Sequence, residues 1–79
     1  MSVDDERPMC ARLDAGESGC GALILKLRRA LDELQADDLL ELLARDVGAP
    51  ADIPAWCGIA GHEVVLAAHP FYIIRKQGD

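Results

Sequence analysis

From Leu23 onward the chain repeats an apolar residue at a helical interval. Leu23, Leu27, Ala30, Leu31 and Leu34 stand at i, i+4, i+7, i+8 and i+11, which predicts a helix with one apolar face. Lys26, Arg29, Asp32 and Glu33 fall mainly on the other faces, and Asp37-Asp38 supplies the break that follows. Before the stripe stands a turn cluster, Gly16-Glu17-Ser18-Gly19. Cys20 is therefore expected in the first turn of the helix, directly after a glycine-bearing loop.

The remaining segments read less evenly. Met1 to Pro8 is polar and acidic with no period and reads as a mobile tail, leaving residues 9–79 as one small domain. Met9, Ala11, Leu13 and Ala15 alternate with Cys10, Arg12 and Asp14, a period of two that predicts a half-buried strand. Leu39 to Ala44 is ambiguous, because its Leu, Glu and Ala residues all favour helix. Pro50 and Asp52-Ile53-Pro54 carry helix-start chemistry, and a short helix is expected to end near Gly61. Val64-Val65-Leu66 and Tyr72-Ile73-Ile74 are β-rich runs, and Ala67 to Pro70 between them predicts a hairpin loop. With one Trp, one Tyr and one Phe, aliphatic side chains must fill the core.

Charge and cysteine usage narrow the function. A net charge of -6 argues against nucleic-acid binding, which needs clustered Lys and Arg. Lys26, Arg28 and Arg29 lie close together in sequence, as do Arg75 and Lys76. Such a local patch suits an acidic protein partner, although the solvated face of an amphipathic helix carries the same residues. No apolar run is long enough to span a bilayer, and the first twenty residues are too polar for a signal peptide, so a cytoplasmic protein is expected. Three cysteines without an export signal make a disulfide framework improbable and leave at least one free thiol.

Among the three, Cys20 has the placement that chemistry asks for, since a helix N-terminus favours the thiolate and Gly19 and Gly21 leave the sulfur uncovered. Cys57, flanked by Ile53, Trp56 and Ile59, reads as a core residue. Cys10 stands beside the tail, where it could in principle resolve an oxidised Cys20. A metal site built from Cys57, His62 and Cys20 lacks zinc-ligand spacing. His62 and His69 flank the third strand as solvated or turn residues, and no hydrolytic or phosphate-binding motif is present.

Four pieces in order carry a resemblance: Leu13-Asp14-Ala15 with Cys20 seven residues after Leu13, Asp52-Ile53-Pro54-Ala55-Trp56-Cys57, Gly61-His62-Glu63-Val64, and Ile73-Ile74-Arg75-Lys76. Over residues 11–77 the chain resembles the TusA/SirA family. The resemblance implies an α+β fold, a two-layer α/β sandwich of order βαβαββ with a four-stranded mixed sheet and two helices on one face. It assigns Asp38 to Arg45 as the second strand.

It also implies sulfur relay. A cysteine desulfurase or rhodanese would load Cys20 as a persulfide, and a downstream acceptor would receive the sulfur, with no bound cofactor and no metal. By position, Asp46 and Arg28 match polar residues of the family's partner-docking surface, which joins them to Lys26 and Arg29. The family follows its cysteine with Pro-x-Pro, whereas Gly21-Ala22-Leu23 follows Cys20 here. A non-catalytic interaction or regulatory domain of the same fold is the alternative reading, and a thiol-redox protein using Cys20 and Cys10 a more distant one.

Overall fold

The computed structural model describes residues 10–77. Met9 and the predicted tail, Met1 to Pro8, lie outside the described residues. The elements run β1 (Cys10–Gly16), α1 (Cys20–Asp32), β2 (Leu39–Ala44), α2 (Ala49–Ala60), β3 (Glu63–Ala68) and β4 (Phe71–Arg75). The sheet order is β1-β2-β4-β3. β1 runs parallel to β2, and β4 lies antiparallel to both β2 and β3. The result is the four-stranded mixed sheet and two-helix sandwich that the resemblance implies.

The alternation in β1 becomes a strand with two unlike faces. Ala15 is buried and Ala11 and Leu13 half-buried on the helix side, while Cys10, Arg12 and Asp14 are exposed. The α1 stripe is seated against that side, with Leu23, Leu27 and Leu31 each fully buried. α2 adds Ala49, Ile53 and Cys57, spaced four residues apart along one face. Leu40, Leu42, Ala44, Tyr72 and Ile74 complete one aliphatic cluster between helices and sheet. Burying each leucine of this kind contributes on the order of 2 kcal/mol.

The ambiguous segment folds as a strand. β2 is hydrogen-bonded on both sides, to β1 and to β4. Its alternate residues Leu40, Leu42 and Ala44 face the core. Two ladders and one buried face outweigh a helix propensity worth a few tenths of a kcal/mol per residue. β2 is one residue shorter at each end than the Asp38 to Arg45 span.

Three boundaries differ from the sequence reading. α1 stops at Asp32, so Leu34 is half-buried beyond its end and does not continue the stripe. There the Leu31 carbonyl accepts both the Leu34 N–H at 3.0 Å and the Lys76 ammonium at 2.7 Å. In α2, Pro50 stands in the first turn as expected, whereas Pro54 lies inside the helix. The hairpin loop contracts to His69-Pro70, because Ala67 and Ala68 pair with Tyr72 and Phe71. Gly61, at φ 87, ends α2 in the left-handed conformation that glycine adopts without penalty.

Burial has a measurable consequence at Cys57, which is 1% exposed. Removal from water pushes its thiol up to about 11. The folded chain therefore keeps a proton that the unfolded chain releases above about pH 8.5. Stability is full below that value and falls as the pH rises toward the folded value. Urea unfolding should show wild-type protein losing about 2 kcal/mol more than Cys57→Ala between pH 8 and 10.5. Parallel losses in the two proteins would contradict this assignment.

Candidate functional site

Because β1 and β2 are parallel, both strands deliver the chain to the same end of the sheet, and both helices start there. The antiparallel β4 begins at that end as well. Two backbone bonds tie the loops together, Arg45 N–H to the Gly16 carbonyl and Ala44 N–H to the Pro70 carbonyl, each at 2.9 Å. The Glu17-Ser18-Gly19 loop, the Arg45 to Gly48 turn and the His69-Pro70 turn are thus neighbours.

Cys20 opens α1 at this end. β1 terminates at Gly16, whose φ of 61 turns the chain and whose N–H is held by Asp14 Oδ1 at 2.8 Å. Gly19 is the N-cap, with extended backbone and no side-chain cap, and the first helical bond runs from Leu23 N–H to the Gly19 carbonyl at 2.6 Å. The amides of Cys20, Gly21 and Ala22 precede that bond and have no acceptor within the helix. No acidic residue occupies the first turn, so the helix dipole there is not offset from within α1.

Asp46 reaches this point from the neighbouring turn. Its Oδ2 accepts the Gly48 N–H at 2.9 Å and its carbonyl accepts the Ala49 N–H at 3.0 Å, which starts α2. A Cβ placed on Gly19 would lie 3.7 Å from Asp46 Oδ1. One placed on Gly48 would lie 3.0 Å from Asp46 Oδ2 and 3.2 Å from Asp52 Oδ2. Glycine at position 48 is what lets both carboxylates close in on the turn.

The three basic residues do not form a single patch. At about 100° per residue, Lys26 and Arg28 point about 160° apart around α1, with Arg29 between them on the side away from the core. Lys26 Nζ donates to Ser18 Oγ at 2.7 Å and so belongs to the loop before Cys20. Arg28 lies 4.0 Å from Asp32 on the opposite flank, and Arg29 is exposed. The Ser18–Lys26 link and the approach of Asp52 were not foreseen. The Asp46-Val47-Gly48 sequence, a turn signature, was the available signal for the second.

The other thiols are placed apart. Cys10 begins β1 and Cys20 follows its end, so the strand separates them by about 20 Å, far beyond disulfide reach. The thiol-redox pairing of Cys10 with Cys20 is thereby overturned. Cys10 is exposed and lies 3.7 Å from Glu41 Oε2. Its thiol is pushed up by partial burial, then by the Glu41 charge and hydrogen bond. Cys57 is sealed in the core.

The histidines have partners of their own. His62 Nδ1 accepts the Gln77 N–H at 3.1 Å, and burial and Lys76 lower its proton affinity. His69 Nδ1 is 2.6 Å from the Tyr72 hydroxyl. Among the described residues no three His, Cys, Asp or Glu side chains gather as metal ligands, and no helix is long and apolar enough to cross a membrane.

The described residues form a βαβαββ sandwich in which Cys20 opens α1 among converging loops. Comparison with known proteins identifies the family. The Sulfurtransferase TusA family matches residues 11–75. The chain is 34% identical over 76 residues to the sulfur carrier protein TusA of Pseudomonas paraeruginosa, covering 91% of this chain and 96% of that one. It is also 34% identical over 73 residues to the sulfur carrier protein TusA of Pseudomonas entomophila, covering 87% and 91%. The chain belongs to the Sulfurtransferase TusA family.

Its departure at the cysteine has a structural counterpart. Leu23 stands where the family has its second proline, and here it is fully buried and donates the first helical bond. Gly21, at the first proline's position, is exposed, and a Cβ there meets nothing within 4 Å. Gly21→Ala should therefore raise stability by about 0.4–1 kcal/mol by restricting the unfolded chain. A thermal melt should show a gain of a few degrees. A lower melting temperature would mean that the first turn needs glycine.

Proposed function

We propose that this chain is a cytoplasmic sulfur carrier that accepts a sulfane sulfur on Cys20 as a persulfide and hands it to a second protein. The observation that carries the reading is the position of Cys20. In a chain of this family, it opens a helix whose first amides have no helical acceptor and whose first turn carries no acid.

The chemistry follows from that position. Proton loss gives the Cys20 thiolate, which attacks the terminal sulfur of a donor persulfide. A new sulfur–sulfur bond forms on Cys20 while the donor's own sulfur–sulfur bond breaks, and the donor cysteine leaves as its thiolate. The reverse exchange onto an acceptor thiol unloads the carrier. No net oxidation occurs, so no redox cofactor is needed.

A cysteine desulfurase or a rhodanese is the donor this step calls for. Docking falls to the polar residues around the loop: Asp46 and Lys26 beside Cys20, with Arg29 and Arg28 further along and around α1. Opposite charges on a partner would steer its approach, and salt would weaken that steering.

Incubation with a cysteine desulfurase and free cysteine, followed by mass spectrometry of the intact protein and its peptides, tests the reading. Sulfur should appear on Cys20, disappear on reduction, and be absent from Cys20→Ser. Cys10→Ser should load normally. A Cys20 that gains no sulfur from any desulfurase or rhodanese donor would contradict the carrier assignment.

A further inference from the structure

The geometry around Gly19 bears on how the Cys20 thiol is controlled, given the carrier reading above. Asp46 Oδ1 lies 3.7 Å from the Cβ position of Gly19, the residue before Cys20. Standard backbone dimensions then put this carboxylate within about 9 Å of the Cys20 Cα. Over that distance, screening by about 0.1 M salt is incomplete. The carboxylate is also held in place, because Oδ2 is engaged by the Gly48 N–H at 2.9 Å.

Its effect opposes that of the helix. Amides at the start of α1 that lack a helical acceptor favour a thiolate, whereas a nearby negative charge disfavours one. The other charged groups at this end divide between the two signs. Asp52, in the first turn of α2, adds to the negative side across Gly48. Glu17 is exposed on the loop itself. On the positive side, Lys26 reaches Ser18, while Arg45 lies 3.9 Å from Asp14. His69, in the turn between β3 and β4, is engaged by the Tyr72 hydroxyl. Asp46 is the only one of these whose side chain comes into contact range of the residue next to Cys20 through an open glycine.

We infer that Asp46 is a positioning residue that partly offsets the pull of the helix on the Cys20 thiol in the free carrier, and that a cationic side chain on the docked partner neutralises Asp46 and raises the thiolate fraction further. The carrier is then least reactive in solution and most reactive in complex. Such coupling would protect the thiol from stray electrophiles between transfers. The partner this fits presents a Lys or Arg at the Asp46 turn.

The test needs no sulfur donor, so its outcome is separable from persulfide loading. Alkylation of Cys20 by iodoacetamide is followed by peptide mass spectrometry across pH in wild type, Asp46→Asn and Asp46→Ser. Both substitutions remove the charge and keep an acceptor for the Gly48 N–H, and circular dichroism verifies the fold. At pH 7 and low salt the variants should react about two- to five-fold faster, with the rate profile moved to lower pH, a range that allows for the weaker nucleophilicity of a more acidic thiol.

Asp52→Asn, whose carboxylate lies against Gly48 and not against Gly19, should accelerate the reaction less. A hexalysine peptide should accelerate wild type and not Asp46→Asn. Unchanged or slower alkylation in folded Asp46 variants would overturn the inference, as would equal acceleration of both proteins by hexalysine. A faster variant that still takes up no persulfide would instead sink the carrier reading and leave this inference standing.

Discussion

The pairing of β2 on both of its edges is the constraint from which the site follows. Its parallel ladder with β1 forces α1 to carry the chain back across the sheet, and its antiparallel ladder with β4 leaves α2 to cover the rest of the same face. Both helices must then start where β1 and β2 end. The amino-terminal ends of two helices, three loops and Cys20 are gathered by topology alone, before any side chain contributes. Were β2 helical, as its composition allows, Gly16 and Arg45 would have no reason to meet.

Much of this was legible in the chain. The leucine stripe of α1 predicted its buried face residue by residue as far as Leu31, and the alternation in β1 predicted both of its faces. These signals are local, since they depend only on whether a residue points toward or away from the sheet. The position of Cys20 in the first turn was equally readable, because glycines and a turn cluster end one element just before the stripe begins the next.

What was not legible depends on partners distant in sequence. Leu39 to Ala44 becomes a strand through ladders to residues some thirty positions away on either side, which propensity does not register. Lys76 caps α1 through the Leu31 carbonyl, 45 residues earlier. Asp46 comes to lie against Gly19 only once β1 and β2 are paired. Residues that look adjacent in sequence can also diverge in space, as Lys26 and Arg28 do on opposite flanks of α1. The missing prolines have a compensating reading: Leu23 turns the second into core packing and a backbone bond.

If the fold, and not the cysteine by itself, makes Cys20 the exchanging thiol, its reactivity must depend on the folded state. Cys10 is an internal control, since it is exposed but set at the far end of β1 beside Glu41. The most direct measurement compares alkylation of Cys20 and Cys10 in one sample at neutral pH, first folded and then in concentrated urea. Cys20 is expected to outpace Cys10 in the folded protein, and the two rates to converge on unfolding. A folded protein in which Cys10 reacts as fast as Cys20, or faster, would contradict it.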